Sequence, residues 1–420
     1  MGSYKFILDL TIILLSTKML GLVTKKFRMP QVVGALLAGL IFGPAFLNII
    51  QETSFIQSGA EIGVIVLMFC AGLETDMQEL KKSGKASFII AIIGVVVPLI
   101  GGYFITKLFN TPEQIVSDAS GTIFLQNMFI GVILTATSVS ITVETLKELG
   151  KLKTKSGNAI LGAAIIDDII GIIALTVITS MADTSVNIVV VLIKIVLFFV
   201  FALIAGVIFF KFYKYWSDST EQPLHRHTIV AFVFCLFMSY VAEHFFGVAD
   251  ITGAFIAGLI ISSTQKSQYV ASKFDVLSYL YLSPLFFASV GLKVILPDMN
   301  ATVFIYALLL AVVAILTKVI GCGLGAKMCG YKNYQSARIG VGMISRGEVA
   351  LIVATKGTAI GLLGSAFLGP VILVVVITTV ITPILLKIVF KFGPKKPLVE
   401  EVPIEDMRFS NNYEEIENLR

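Results

Sequence analysis

The chain has 420 residues, of which 56% are hydrophobic and 14% charged, with a formal net charge of +5 and a mean hydropathy of +0.92. That composition excludes a soluble globular protein and describes a polytopic membrane protein. The small basic excess belongs to loops and is no signal for nucleic acid.

The first apolar run, Phe6 to Val23, carries Asp9 and Lys18, ends in Thr24-Lys25-Lys26-Phe27-Arg28 and has no small-residue cleavage site. It is expected to be a retained first span rather than a signal peptide. Hydropathy and breakers divide the chain into about thirteen helical spans: 6–23, 31–47, 59–74, 86–108, 121–144, 156–180, 186–212, 227–246, 249–264, 275–294, 301–326, 335–359 and 363–391. The expected fold class is therefore all-α. Loops after odd spans are basic, with Lys25, Lys26 and Arg28, then Lys81, Lys82 and Lys85, then Lys147, Lys151, Lys153 and Lys155 among them. Loops after even spans are poor in Lys and Arg. This alternation predicts a cytoplasmic basic side, an outside N-terminus and a cytoplasmic C-terminus. The segment from 394 to 420 is acidic, with Glu400, Glu401, Glu405, Asp406, Glu414, Glu415 and Glu417, and reads as a short disordered cytoplasmic tail. Cys70, Cys235, Cys322 and Cys329 show no metal or redox spacing and are expected to be free packing thiols. His225, His227 and His244 lie near helix ends without grouped carboxylates or cysteines, which predicts a surface role. No resident metal or cofactor is expected.

The chain also repeats itself. Gly34-Ala35-Leu36-Leu37-Ala38-Gly39-Leu40-Ile41 in span two resembles Gly253-Ala254-Phe255-Ile256-Ala257-Gly258-Leu259-Ile260 in span nine. Leu67-Met68-Phe69 with Gly72-Leu73 in span three echoes Leu285-Phe286-Phe287 with Gly291-Leu292 in span ten. Seven spans separate the partners, an odd number, so the copies cross the membrane in opposite directions, the inverted-repeat plan of secondary transporters. Span four then pairs with eleven, five with twelve and six with thirteen. Spans five and twelve both look broken, at Leu134-Thr135-Ala136-Thr137-Ser138-Val139-Ser140-Ile141-Thr142 and at Gly340-Val341-Gly342-Met343-Ile344-Ser345-Arg346-Gly347-Glu348. Paired broken helices offer unwound carbonyls and opposed helix ends to an ion. The alternatives are a continuous helix with Ser/Thr back-bonding in span five, and a polar seam in span twelve.

Two adjacent carboxylates, Asp167 and Asp168, fall near the middle of the apolar run from Ala159 to Ser180. Each charge at that depth costs on the order of 3 kcal/mol, so the pair is either compensated or functional. Neighbouring residues on a helix point about 100° apart, so the two carboxylates address different partners, one pairing with a cation and the other facing a water-filled cavity. Lys318 in span eleven is the best cationic partner and Arg346 the competitor. A Lys318 that snorkels to the surface is the alternative, though Lys327 lies roughly 13 Å further along the helix. A carboxylate in such a cavity can bind a proton or a small hard cation, and competition between the two yields antiport.

Together, Thr135-Ala136-Thr137-Ser138, Asp167-Asp168, Lys318 and Ser345-Arg346-Gly347-Glu348 resemble the monovalent cation/proton antiporter family, in its second, NapA-, GerN- and Kef-like branch. The likeness runs over all the spans. It implies that Asp168 is the carboxylate that binds the ion and the proton, that Asp167 is bridged to Lys318, and that a monovalent cation at Asp168 has Asp167, Thr137 and Ser138 as neighbours. Thr135, Thr137, Ser138, Ser345, Arg346 and Glu348 would form the broken-helix crossing. It further implies a transmembrane antiporter domain over 1–393, with core helices about 59–180 and 275–391, dimerisation helices about 6–47 and 186–264, a homodimer in the plasma membrane, and a role in pH homeostasis. Kef members usually carry Gln where this chain has Asp167, and a large nucleotide-binding domain for which the tail here is too short. Both departures lean toward sodium and leave lithium and potassium open. Competing readings are a sodium-coupled organic-solute symporter, a channel, and an intramembrane aspartyl protease. The protease needs two Asp on separate helices, so the chain is expected not to be an enzyme.

Overall fold

In a bilayer core no water is available to backbone N–H and C=O groups, so a spanning chain must satisfy them within helices. The computed structural model describes residues 4–27, 29–75, 77–182, 187–219, 224–294 and 299–393, and the described residues form helices and no strands. The acidic tail, 394–420, lies outside them. In chain order the helices are α1 (Lys5–Lys26), α2 (Gln31–Phe42), α3 (Ser54–Glu74), α4 (Met77–Phe109), α5 (Ile123–Thr135), α6 (Val139–Glu148), α7 (Lys155–Ala182) and α8 (Ile188–Ser219). They continue with α9 (Leu224–Val241), α10 (Asp250–Ser262), α11 (Ser267–Leu277), α12 (Ser283–Leu292), α13 (Ala301–Met328), α14 (Asn333–Gly342), α15 (Glu348–Ala359) and α16 (Ser365–Val389). Short π-helical stretches, Ala242–Phe246 and Ser278–Leu282, extend α9 and join α11 to α12.

Each span expected from the sequence is helical here. Ten stretches are long and apolar enough, by length and composition, to cross a membrane, with Ile123–Glu148 and Ser267–Leu292 each counted as one. The count of thirteen crossings is not reached on that basis, because α2 and α10 are shorter apolar helices and the 333–359 stretch is two short helices rather than one.

The helices pack as two bundles. In one, α4 lies along α13 and is flanked by α5 and α7, while α13 is flanked by α14 and α16. In the other, α3 lies along α10, α2 along α12, α1 along α2, and α9 along α10. The sequence groups 59–74 and 275–294 with the core helices; in the structure α3 and α12 pack chiefly on α10 and α2. Neither segment carries a local signal that selects its neighbour.

The repeats are visible as matched crossings. A Cβ on Gly39 would stand 2.0 Å from the Ala288 carbonyl oxygen, and one on Gly291 would stand 2.6 Å from that of Leu36. The counterparts Gly258 and Gly72 make the equivalent crossing, 2.2 Å from the Phe69 and 2.3 Å from the Phe255 carbonyl oxygens. So the two sequence repeats are the same contact made twice, α2 on α12 and α10 on α3. Without a hydrophobic driving force between helices in lipid, such close backbone approach is what packing has to offer. Helix α8 has no counterpart in this scheme and is mostly exposed along its apolar length.

The four cysteines are free thiols, and Cys70, Cys235 and Cys322 are buried. His227 corrects the expected surface role, since it is fully buried. Its Nε2 lies 3.1 Å from Lys266 Nζ and its ring packs 4.3 Å from that of Trp216. Proximity to a helix end is a poor guide where a long neighbouring helix covers that end.

The matched crossings predict the cost of bulk. Gly39→Val and Gly258→Val should each destabilise the purified protein by about 1–3 kcal/mol, the usual range for overpacking. Gly84→Ala, where an added Cβ meets nothing within 4 Å, should leave the melting temperature unchanged or raise it. Thermal unfolding of the detergent-purified variants, compared with the unaltered protein, checks both.

Candidate functional site

Two helices stop in the interior of the first bundle. Helix α5 ends at Thr135 and α6 begins at Val139; between them Ala136 and Ser138 adopt extended backbone. Helix α14 ends at Gly342 and α15 begins at Glu348. The interruptions meet: the Ser138 N–H donates to the Ser345 carbonyl at 2.7 Å, and Thr142 Oγ1 donates to the Gly342 carbonyl at 2.7 Å. Contact is close enough that a Cβ on Gly347 would lie 2.6 Å from Ser138 Oγ. Spans five and twelve are therefore broken helices that cross. The back-bonded continuous helix and the polar seam are both set aside by this geometry.

A helix end leaves carbonyls without partners and carries partial negative charge. Arg346, fully buried, answers both needs. Its guanidinium donates to the Leu134 carbonyl at 2.6 Å, near the end of α5, to the Ala314 carbonyl of α13 at 3.2 Å, and to the Ile344 carbonyl just past α14. Arg346 thus bonds to backbone and not to Glu348. Its own main chain is held by α16: its N–H donates to Thr378 Oγ1 at 3.2 Å, and Thr379 Oγ1 donates to its carbonyl. The sequence places Thr142 in the broken stretch of span five but gives no role to Thr378 and Thr379. The signal available was the Thr378-Thr379 pair with Thr382 ahead of Pro383 in an otherwise aliphatic run, in the helix paired by register with the Asp-bearing one.

Helix α7 brings the carboxylates to this crossing. Lys318 Nζ lies 2.8 Å from Asp167 Oδ1 and 3.0 Å from Oδ2, and both side chains are almost wholly buried, at 0% and 1% exposure. Lys318 does not snorkel. Thr137 Oγ1 donates to Asp167 Oδ2 at 2.7 Å, so the pair is tied to the break in span five. Every acceptor demand of Asp167 is met by protein, as a buried ion pair requires if it is to persist. Asp168 differs on each point. It is partly accessible and makes no hydrogen bond or ion pair to another described residue. Glu348, in the first turn of α15, keeps a buried carboxylate oxygen without a partner, as does the Ser345 hydroxyl. Ser138 Oγ lies 3.2 Å from Ser140 Oγ, and Thr135 Oγ1 donates back to Val132 in its own helix.

The structure thus brings Asp167, Lys318, Thr137, Ser138, Ser345 and Arg346 into one connected network. It leaves Thr135 as a helix-terminal residue, and Asp168 and Glu348 as carboxylates with capacity to spare. Oxygen ligands of this kind suit a hard cation. Among the described residues no group of three or more His, Cys, Asp or Glu stands ready as a metal site.

A family model for "Sodium/hydrogen exchanger, transmembrane" matches residues 11–392. The Na(+)/H(+)-K(+) antiporter GerN of Bacillus cereus is 39% identical over 393 residues, covering 93% of this chain and 97% of that protein. A Na(+)/H(+) antiporter of Enterococcus hirae is 34% identical, covering 91% and 97%. Among solved structures, the sodium proton antiporter MjNhaP1 of Methanocaldococcus jannaschii shares the fold, with a TM-score of 0.63 at 19% identity over 93% of this chain and 99% of that one. The chain belongs to the sodium/hydrogen exchanger family, whose members are transporters rather than enzymes.

Proposed function

We propose that this protein exchanges protons for a monovalent cation across the membrane, sodium first, by competition at Asp168. The observation that carries this reading is the contrast between neighbours: Asp167 is saturated by Lys318 and Thr137, while Asp168 is partly accessible and unbonded beside the crossing. A bare carboxylate at membrane depth is costly, so Asp168 crosses only when loaded with a proton or a cation. Charge balance makes the two loads equivalent. With Asp167, Asp168 and Glu348 against Lys318 and Arg346, the crossing is one positive charge short, and either a proton or one monovalent cation supplies it. Cargo that competes for one site and cannot leave it empty is exchanged. The cations and protons are the whole chemistry; no cofactor is called for.

The moving unit in this reading is the bundle of α4 to α7 and α13 to α16. Helices α1 to α3 and α9 to α12 form the frame, which we infer to carry the contact between two copies in a homodimer. The loop charges support a cytoplasmic C-terminus, an outside N-terminus and a plasma-membrane location. Potassium is the second cargo to consider, since GerN is named for both ions.

In everted vesicles, Asp168→Asn should abolish the sodium-induced dequenching of a pH dye, while Asp168→Glu keeps part of it. Sodium-driven proton movement that survives in Asp168→Asn would sink the proposal. Sodium, lithium and potassium compared in proteoliposomes rank the cargo. Lys318→Met should leave Asp167 buried without its partner and cost about 3–5 kcal/mol of stability. Much of that loss should be restored in the double variant Lys318→Met/Asp167→Asn, as read by thermal unfolding of the two proteins side by side.

A further inference from the structure

Helix α6 runs from the crossing to the face of the molecule that carries the basic loops, and its last residues do something the crossing does not require. Lys147 pairs with Glu74 at the end of α3, at 3.1 Å, and with Asp275 of α11. Glu148 places both carboxylate oxygens on the N–H of Gln31, the first residue of α2, at 2.7 and 2.8 Å. A carboxylate at a helix N-terminus meets an unpaired N–H and the positive end of the helix dipole. Two consecutive side chains of one bundle therefore grip three elements of the other. Beside them, at that same face, a cavity of about 330 Å³ opens between the bundles, lined in part by Gln31, Glu144, Lys147, Glu148, Asp275 and Tyr279. Deeper in, the bundles meet through apolar side chains, Leu36, Leu40 and Val290 against Val375, Val376 and Val380. An apolar seam has no directional bonds and tolerates sliding; an ion pair and a helix cap hold in one position only.

We propose that Lys147 and Glu148 are positioning residues of the exchange reaction: they hold the ion-carrying bundle in the arrangement open toward the basic-loop face and must release each time the site turns to the other side. This rests on the bundle movement inferred above. The coupling is mechanical. The first residues of α6 are tied to the second broken helix through Ser138 and Ser345, and ten residues of helix are a strut of about 15 Å. Movement of the crossing against α2, α3 and α11 takes Lys147 and Glu148 with it.

Contacts present in one state and absent in the other set the ratio of the two, and the apparent affinity at each face scales with the fraction of sites open to it. Lys147→Met should therefore weaken apparent sodium affinity at the basic-loop face and tighten it at the opposite face, the two changes together shifting the ratio of the affinities by about twofold to fivefold. Those figures follow the usual strength of a partly exposed ion pair. Apparent affinities measured in everted and right-side-out vesicles give the two values. Lys147→Arg should behave as the unaltered protein, and the exchange of charges Lys147→Asp/Asp275→Lys should return both affinities toward their starting values. Equal changes at both faces, or none, would overturn the proposal, because loss of folded protein alone lowers maximal rate without a sided shift. A second experiment forbids the release. With Gln31→Cys and Glu148→Cys joined by a short bifunctional thiol reagent in a background lacking the native cysteines, exchange should stop. The uncoupled double variant should still exchange. Continued exchange in fully cross-linked protein refutes the proposal while leaving the antiport reading intact; no sodium-driven proton movement in the unaltered protein would take both down.

Discussion

A helix broken inside a membrane exposes carbonyls and N–H groups where there is no water to receive them, and the whole interior of this protein is arranged around that deficit. Arg346 is the central piece. One guanidinium serves a carbonyl near the end of α5, one just past α14 and one on α13, so a single buried cation neutralises two helix ends that would otherwise repel. Its main chain is fixed in turn by Thr378 and Thr379. Lys318 does comparable work from the other side through Asp167 and Thr137. Each interruption is thus held by the helix that follows it in the chain: the first by α7 through Asp167, the second by α16 through its threonines.

The two anchors match in position and differ in chemistry, and that difference bears on function. A threonine hydroxyl bonds without changing charge. An ion pair brings charge into the membrane and makes the charge of its neighbours matter. Of the two anchoring helices only α7 carries carboxylates, Asp167 and Asp168, while the second interruption brings its own, Glu348, on α15. The two carboxylates with capacity to spare, Asp168 on α7 and Glu348 on α15, sit at different interruptions, and only Asp168 stands beside a twin already bonded by a lysine and a threonine.

What could be read from residues alone follows a physical division. Charges in an apolar run are conspicuous because they are expensive, so Asp167, Asp168, Lys318 and Arg346 stand out, and the Gly- and Ser/Thr-rich stretches at 134–142 and 340–348 mark both breaks. The matched Gly39 and Gly258 are legible too, because only a small residue admits a backbone at about 2 Å from where a Cβ would be. Thr378 and Thr379 were not, since threonines in apolar helices routinely bond their own preceding turn, as Thr355 does to Leu351. That α3 packs chiefly on α10 is not legible in residues, because which apolar helix packs on which is decided by shape over many residues rather than by any local pattern. Helices α2 and α10 are expected as spans 31–47 and 249–264 and are shorter in the structure, Gln31–Phe42 and Asp250–Ser262.

Helix α8 stands alone between the two copies, with no matching element and little of its length buried. A unit of six spans returns the chain to the side from which it started, so a second copy joined directly would enter the membrane the same way round as the first. One additional crossing reverses that. In this light α8 is a topological device whose first requirement is to be long and apolar, and its stretch from Ile188 to Phe212 meets it, with Ile195, Phe198 and Ala202 buried on one side. Aliphatic residues on its exposed side, such as Val196, Leu203 and Ile208, should be freely interchangeable, in contrast to the fixed glycines on either side of it, which places a permissive surface at the hinge of the molecule's symmetry.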